Sequence, residues 1–375
     1  MNTGVGSLRP RCGTGRRTVA GVGLMVGALA LAACGGGSSG GGSASSGGGG
    51  KIGVSLILKT LSNPYFVSME KDAKTEATAD GVNLTVAAGK SDGDTQTQIS
   101  AIDNAISRGD KGIIITINGD AVNTELAKAK QAGLFVIALD TVPTPPSTVD
   151  ITYATDNEQA GKLIGQYAAA KLNGGKAVIA MLDLFNNQVV SVDTSRDHGF
   201  LEGMGIDPGS KTENGKEAKT GKYTAGKGGD YVIACHQPTT GAIPGGKTAM
   251  ENCLSANPDI NLVYTINEPA ADGAHQALQA AGKSNVTIVT IDGSCNYVNG
   301  LLKDGTIAAD SAQYPGKMAS LGVKAVAQYG KNGSKPSLPA GQDFINTGTV
   351  LVTANPITGV DSQAPSQAAQ ACWGS

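Results

Sequence analysis

Short apolar runs alternate with amphipathic stretches from Lys51 onwards, and this alternation constrains the fold more than any other feature of the chain. Strands that alternate with helices of about 10–15 residues predict a parallel sheet with helices on both faces. Residues 112–117 are almost continuously apolar, which is typical of a strand that is buried on both sides.

The pattern occurs in two blocks, separated by a proline-rich turn at residues 143–146. In the first block, strands are predicted at 52–58, 82–87, 112–117 and 134–139, and helices at 64–79, 95–108 and 121–132. In the second, strands are predicted at 177–182, 231–235, 261–266, 286–291 and 306–309, and helices at 157–172, 194–203, 246–256, 270–281 and 316–329. Residues 207–229 have no pattern and are expected to form a surface insertion. The sequence therefore predicts an α/β protein of two doubly wound lobes.

The N-terminal region has the pattern of an export signal. Arginines precede an apolar run at residues 19–33, and Cys34 follows Leu-Ala-Ala, which resembles the lipobox of bacterial lipoproteins. We expect residues 1–33 to be a signal peptide and Cys34 to carry lipid on the outer face of the bacterial cytoplasmic membrane. Residues 35–50, all Gly, Ser and Ala, would be a flexible linker. The run is shorter than the roughly 20 residues of a membrane span, and Arg16-Arg17 leaves both Sec and twin-arginine export open.

Charge excludes one class of partner. The signal region holds four arginines and no acid, so 29 minus 4 leaves 25 basic residues against 31 acidic ones, a net charge of −6. The sequence has no basic patch, and nucleic acid is not expected as a partner.

The cysteines beyond the linker, Cys235, Cys253, Cys295 and Cys372, predict disulfides. Four of them in an exported protein suggest two bridges with three possible connectivities. We favour Cys235–Cys253, because the first ends a predicted strand and the second lies in the following helix, and Cys295–Cys372, which would pin the C-terminal tail. Four free buried thiols are the alternative. No metal site is expected, because CxxC pairs are absent and the three histidines are scattered.

Polar and aromatic side chains follow most of the predicted strands. In open α/β sheets, ligands bind beyond the carboxyl ends of the strands. The residues at these positions are Lys59, Asn63, Tyr65, Phe66, Asn118, Asp140, Asp183, Arg196, Asn267, Glu268, Asp292 and Gln313. Amides, carboxylates and a guanidinium can bind sugar hydroxyls, and aromatic rings can cover the C–H face of a sugar. Asn and Asp also favour turns for backbone reasons, so only the set as a whole predicts a site.

Six segments around these residues resemble, in order, the periplasmic sugar-binding proteins of ABC importers of the ribose, galactose and fructose type. The segments are residues 62–67, 136–140, 195–199, 264–268, 290–293 and 312–315. The resemblance implies a type I periplasmic-binding-protein fold that traps a monosaccharide between its lobes and delivers it to an ABC permease. It implies ligand-binding roles for Asn63, Tyr65, Phe66, Asp140, Arg196, Asn267, Asp292, Gln313 and Lys59, with the two aromatic rings sandwiching the sugar.

Some positions depart from the ribose-type pattern. Thr141 stands where that pattern has an arginine, and an aromatic of the second lobe is missing near Gly241. Lys59, residues 267–270 and residues 372–374 are more similar to the fructose-type branch. The resemblance therefore favours fructose, with ribose or another pentose or hexose as alternatives. A sensor that presents liganded protein to a receptor is the alternative function.

The resemblance also implies the lobe boundaries. The N-terminal lobe would comprise residues 51–153 and 314–347, and the C-terminal lobe residues 154–313 and 348–375, joined by a three-stranded hinge. The protein is expected to be a monomer without a cofactor.

An enzyme is not expected, and no zinc-protease motif occurs in the sequence. Asp140 and Asp292 could form an acid/base pair for glycoside cleavage, but binding alone explains them. His198, His236 and His275 are interpreted as structural.

Overall fold

The computed structural model describes residues 51–374, so the expected signal peptide, the lipidation site Cys34 and the linker lie outside the described residues. The strands are β1 (Gly53–Leu58), β2 (Asn83–Ala88), β3 (Gly112–Ile115), β4 (Phe135–Leu139), β5 (Ile151–Ala154), β6 (Ala177–Asp183), β7 (Thr220–Tyr223), β8 (Gly229–Pro238), β9 (Leu262–Thr265), β10 (Thr287–Asp292), β11 (Ala309–Ala312), β12 (Ile345–Asn346) and β13 (Val350–Val352). The α-helices are α1 (Pro64–Asp80), α2 (Thr95–Arg108), α3 (Asn123–Gln131), α4 (Asn157–Leu172), α5 (Ser191–Met204), α6 (Ile243–Ala256), α7 (Glu268–Ala280), α8 (Cys295–Asn299), α9 (Pro315–Asn332) and α10 (Pro365–Ala368).

The strands form two sheets. The first has the order β12-β5-β4-β3-β1-β2, and its described pairings are parallel. The second has the order β13-β11-β10-β9-β6-β8-β7 and is parallel except at its edges, where β7 and β13 pair antiparallel with their neighbours. The expectation of two doubly wound α/β lobes is confirmed.

Each sheet is covered on both faces, because successive side chains of a strand point to opposite sides. In β1, Leu56 and Leu58 pack with Met69 of α1 on one face. Ile57 packs with Ile102 of α2 on the other face. Fully burying one such side chain stabilises the fold by about 1.5–3 kcal/mol, which explains the apolar runs of the sequence.

The chain crosses between the sheets at three places: after β5, after β11 and between β12 and β13. Side chains link the crossings to one another. Thr155 Oγ1 donates to Gln313 Oε1 at 2.9 Å, and Thr349 Oγ1 donates to the Ala312 carbonyl at 2.9 Å. The three segments therefore lie next to one another.

The strand predicted at 306–309 lies three residues further along the chain, at Ala309–Ala312. The prediction failed because β11 contains two buried polar residues that break the apolar pattern. Asp310 accepts hydrogen bonds from backbone amides, and Ser311 Oγ donates to the Ala160 carbonyl at 2.7 Å. Residues 207–229, expected to form a surface insertion, also contain a strand that the sequence did not predict. They include β7, a largely exposed edge strand whose polar side chains give no apolar run.

Both favoured disulfides are present, Cys235–Cys253 and Cys295–Cys372. The second holds the C-terminal tail against the loop after β10, where the Trp373 carbonyl accepts from the Cys295 amide at 2.8 Å. Trp373 Nε1 donates to the Asp292 carbonyl at 2.9 Å. The tail thus braces a strand end that the sequence predicts to bind ligand.

Within residues 51–374, no helix combines the length and the apolar character that crossing a bilayer requires.

We expect the loss of each disulfide to destabilise the fold, and the longer closed loop to matter more. The bridges span 77 residues for Cys295–Cys372 and 18 for Cys235–Cys253. Replacing either pair by serines should cost about 2–5 kcal/mol, with the C-terminal pair costing roughly 1 kcal/mol more because loop-closure entropy grows with loop length. Urea unfolding of the two double variants measures this difference, and a larger loss for Cys235–Cys253 would contradict the prediction.

Candidate functional site

A polar pocket lies where the carboxyl ends of strands from both sheets face each other. Its lining residues are Lys59, Asn63, Tyr65, Phe66, Asp92, Asp140, Leu184, Val192, Arg196, Ile266, Asn267, Asp292 and Gln313. Every residue to which the sequence assigned a ligand-binding role lies in this wall. The fold therefore brings together side chains that are up to 254 positions apart along the chain, from Lys59 to Gln313.

Arg196 is the centre of charge of the pocket. Its Nε donates to Asn157 Oδ1 and its Nη1 to the Ile266 carbonyl, both at 2.8 Å. The carboxylates of Asp140 and Asp292 lie 3.8 Å from its Nη atoms, too far for a hydrogen bond. Two of the five guanidinium N–H groups are thus fixed by protein, which orients the remaining ones towards the two carboxylates.

Helix α5 carries Arg196 and packs closely on α4. A Cβ at Gly161 of α4 would collide with the Arg196 carbonyl, and one at Gly199 of α5 would collide with the Glu158 carbonyl. Glycine at both positions lets the two helix backbones meet. The approach also brings Asn157, at the start of α4, within reach of the guanidinium.

Asp140 is the acceptor on the side of the first sheet. It is buried and its backbone has a φ of 64°, a left-handed conformation that costs a residue other than glycine about 1–3 kcal/mol. Tyr65 Oη donates to its carboxylate at 3.2 Å and Thr141 Oγ1 at 3.0 Å. Lys59 Nζ lies 3.6 Å away, so a second buried cation faces this carboxylate.

Asp292 is the acceptor on the side of the second sheet. Its Oδ1 accepts from Gln313 Nε2 at 2.8 Å, and Gln313 is in turn fixed by Thr155 from the first crossing. Burial raises the pKa of Asp292 to about 7, although the nearby charge of Arg196 opposes the shift. This carboxyl group therefore titrates near neutral pH.

A pair of buried acids holds the turn after β10. Asp310 accepts from the amides of Asp292 and Gly293, and Glu268 accepts from those of Gly293 and Ser294, at 2.9–3.2 Å. Burial, and next the charge of Asp310, raise the pKa of Glu268 well above its usual range. Burial also raises the pKa of Asp310. Glu268 thus supports the site from behind instead of lining it.

The aromatic residues do not form the expected sandwich. The rings of Tyr65 and Phe66 meet edge to face, with centroids 5.2 Å apart and planes at 87°. Consecutive residues of an α-helix point about 100° apart, so neighbours at the start of α1 cannot present two parallel faces. They form a corner of the pocket, and Trp373 packs on Tyr65 from behind at 5.3 Å.

Asn63 and Asn267 are also helix caps. Asn63 Oδ1 accepts from the Tyr65 amide at the start of α1, and Asn267 Oδ1 accepts from the Ala270 amide at the start of α7. Asn267 Nδ2 donates one hydrogen to the Gly241 carbonyl at 3.0 Å. Both asparagines therefore stabilise the local backbone as well as line the pocket, and their remaining amide hydrogens are free to bind a ligand.

Sequence reasoning missed Asp92. It follows β2 as the other acids follow their strands, so the same strand-end rule would have found it. Burial raises the pKa of this partly exposed residue to about 6, and the charge of Lys59 opposes the shift. The apolar lining residues Leu184, Val192 and Ile266 gave no sequence signal, because they are indistinguishable from core residues.

Two other strand-end residues do not enter the pocket. Asn118 donates to the Lys59 carbonyl at 3.1 Å and supports the loop after β1 from below. Asp183 turns away from the pocket and lies 2.6 Å from Nδ1 of His236.

We expect the ligand-free protein to lose stability as pH rises from about 4 to about 7. The pKa of Asp292 is about 7 when folded and about 3.9 when unfolded, so the folded state binds more protons in this window. The melting temperature should be lower at pH 7.5 than at pH 5.5, and Asp292→Asn should reduce that difference. Scanning calorimetry measures it, with the exposed Asp361→Asn as control. An unchanged pH dependence in Asp292→Asn would contradict the assignment.

Residues 52–335 match the family model described as "Periplasmic binding protein domain". The chain is 30% identical over 272 residues to the ribose import binding protein RbsB of Salmonella typhimurium, covering 72% of this chain and 82% of the relative. It is 24% identical over 308 residues to the D-allose-binding periplasmic protein of Escherichia coli, covering 80% and 91%.

Solved structures give the same picture of the fold. A solute-binding protein of an ABC transporter from Mycobacterium smegmatis, with bound glycerol, is 25% identical with a TM-score of 0.66, covering 86% of this chain and 96% of the other. A galactofuranose-binding protein is 22% identical with a TM-score of 0.68, covering 85% and 96%. The named relatives are binding proteins, which confirms the expectation that the chain is not an enzyme.

Proposed function

Since this chain belongs to the periplasmic sugar-binding proteins of ABC importers and has their type I fold, we propose that its pocket encloses one monosaccharide, with fructose favoured, and that the protein delivers it to an ABC permease. The observation that carries the proposal is the arrangement of buried charge, in which Arg196 lies between the carboxylates of Asp140 and Asp292. Sugar hydroxyls both donate and accept, so they can hydrogen-bond to all three groups.

The pocket suits a polyhydroxyl ligand. Asp140, Asp292 and Asp92 are acceptors, while Arg196 and Lys59 are donors. Hydrogen bonds to charged groups are each worth about 1.5–3 kcal/mol, and a buried charge left unpaired costs more than an unpaired neutral group. A sugar that lacks one matching hydroxyl would therefore bind much more weakly.

The preference for fructose rests on the cation that faces Asp140. The relatives named above bind ribose and allose, but this chain has Thr141 where the ribose-type pattern has arginine. Lys59 approaches the Asp140 carboxylate from the end of β1 instead, at 3.6 Å. A single ammonium in place of a forked guanidinium changes which hydroxyls can be bound together.

The three crossings connect the two proposed lobes and would serve as the hinge on which the lobes close around the sugar. The proposed lobes, residues 51–153 with 314–347 and residues 154–313 with 348–375, each contain one of the two sheets. Asp140 belongs to one lobe and Asp292 to the other. A ligand that contacts both favours the closed state through its differential affinity.

We expect calorimetric titration of the purified full chain to give one-to-one binding of D-fructose with a micromolar or lower Kd, about −8 kcal/mol. D-ribose, D-allose, D-glucose, D-galactose and myo-inositol complete the panel. Tighter binding of ribose or allose would overturn the choice of fructose. Absence of binding to every sugar would overturn the proposed function.

In the same titrations, variants distinguish loss of sugar binding in the pocket from a general effect on the fold. Arg196→Ala should weaken sugar binding by roughly 2–4 kcal/mol, because the facing carboxylates lose their charged donor. Arg108→Ala is the matched control, since Arg108 pairs with Asp110 and lies outside the pocket. Uptake of the radiolabelled sugar by cells that lack the gene separates transport from sensing. Unchanged uptake after deletion of the gene would favour the sensor alternative.

We also propose that Cys34 carries the lipid that tethers the protein to the membrane, on the basis of the sequence pattern around it. Cys34→Ser should move the protein from the membrane fraction to the soluble fraction after cell lysis, because one polar side chain replaces the acyl chains. A Cys12→Ser variant is the control, and equal membrane retention of both variants would contradict the tether.

A further inference from the structure

A second cluster of ionisable side chains lies outside the lining of the pocket. It comprises Asp183 at the end of β6, Asp197 on α5 and His236 on β8, and it is called here the Asp183–Asp197–His236 cluster. One nitrogen or oxygen of each residue lies within 4.8 Å of the others. Asp183 and Asp197 are buried, and His236 is mostly buried. The proposed sugar site uses none of the three.

Asp197 has no exposed surface, and no hydrogen-bond donor among the described residues reaches either of its carboxylate oxygens. Oδ1 of Asp183 is unpaired in the same way. Buried carboxylates without partners are strongly disfavoured, because they lose hydration and gain nothing in return. Two such groups side by side require a shared proton or a cation. Protonated His236, with Asp183 at one ring nitrogen and Glu217 at the other, supplies a cation when no metal ion is bound.

His236 has the orientation of a metal ligand. Its Nδ1 forms a hydrogen bond with Asp183 Oδ2 at 2.6 Å and lies 4.0 Å from Asp197 Oδ2, so a metal ion bound at Nδ1 would replace the proton of that bond. Its Nε2 lies 3.0 Å from Oε1 of the buried Glu217. A metal-bound histidine commonly donates its other N–H to a carboxylate, which fixes the ring and its tautomer. Glu217 stands in that supporting position.

We propose that the Asp183–Asp197–His236 cluster binds one divalent transition-metal ion, for which Zn²⁺ is the best match. One imidazole nitrogen and two carboxylates are a ligand set that zinc accepts, whereas Ca²⁺ takes six to eight oxygens. Bonds of 2.0–2.2 Å in tetrahedral geometry hold ligand atoms roughly 3.4 Å apart. This value lies between the two distances measured from Nδ1, so small side-chain rotations suffice. The two aspartates neutralise the charge of the ion.

Such an ion would join three elements of the second lobe. Asp183 ends β6, Asp197 lies on α5 next to Arg196, and His236 lies on β8. In the sequence these residues are far apart and show no metal-binding spacing, so only the fold unites them. The ion would act as a structural cross-link beneath the helix that carries the guanidinium of the pocket.

Titration of the metal-free full chain, purified without a histidine tag, tests the proposal. We expect calorimetry with Zn²⁺ to give one saturable equivalent with a Kd of micromolar or below, and a rise in melting temperature with Zn²⁺ concentration. Ca²⁺ and Mg²⁺ at the same concentrations should produce neither effect. No saturable Zn²⁺ binding, or binding of Ca²⁺ in its place, would overturn the proposal.

Variants locate the ion. Asp197→Asn and His236→Gln should each abolish the Zn²⁺ equivalent, and Glu217→Gln should weaken it by roughly 10- to 100-fold through the supporting hydrogen bond. His275→Gln, a histidine of α7 outside the cluster, should bind Zn²⁺ like the unchanged chain. Far-UV circular dichroism checks that each variant is folded. Unchanged Zn²⁺ binding in folded Asp197→Asn would overturn the site. The absorption of bound Co²⁺ provides a second readout, and it should disappear in the same two variants.

Discussion

A buried balance of charge between Arg196, Asp140 and Asp292 joins the two sheets of the molecule. Each of these residues is at most 4% exposed. Removing one partner of a buried ion pair typically costs about 3–5 kcal/mol, because the other charge is left without compensation. The three residues come from a strand end of the first sheet, a helix of the second lobe and a strand end of the second sheet. Their balance therefore connects the two halves of the molecule.

The surrounding polar residues fix these charges in place. Asn157 and the Ile266 carbonyl hold the guanidinium, while Gln313 holds Asp292. Gln313 and Thr155 belong to different crossings, so the carboxylate is tied to the segments that connect the lobes. A binding site organised in this way orients its donors and acceptors before the ligand arrives, which lowers the entropy cost of binding.

Buried carboxylates are compensated in different ways in the pocket, behind β10 and in the Asp183–Asp197–His236 cluster. In the pocket, cations and amide groups of the protein face the acids. Behind β10, backbone amides donate to both Glu268 and Asp310, and burial raises the pKa of both acids. In the Asp183–Asp197–His236 cluster, the described donors leave three carboxylate oxygens unpaired. This difference distinguishes a candidate cation site from an acid pair that is already satisfied.

The sequence alone predicted the two doubly wound lobes, because hydrophobic periodicity is a local signal. Strand-end position gave candidate polar residues, and the family resemblance implied the nine of them that line one pocket. The two disulfides are the pairings favoured among three connectivities. The limits of α2 and α4 were predicted to the residue. Contacts between elements that are distant in the sequence determine the remaining features. β11 is buried with polar side chains because Asp310 and Ser311 bond to other elements, and β7 is an edge strand defined by its pairing with β8. The aromatic corner, the support of Asp292 by Glu268 and the meeting of His236 with two aspartates likewise arise from contacts across the fold, and spacing along the chain carries no signal of them.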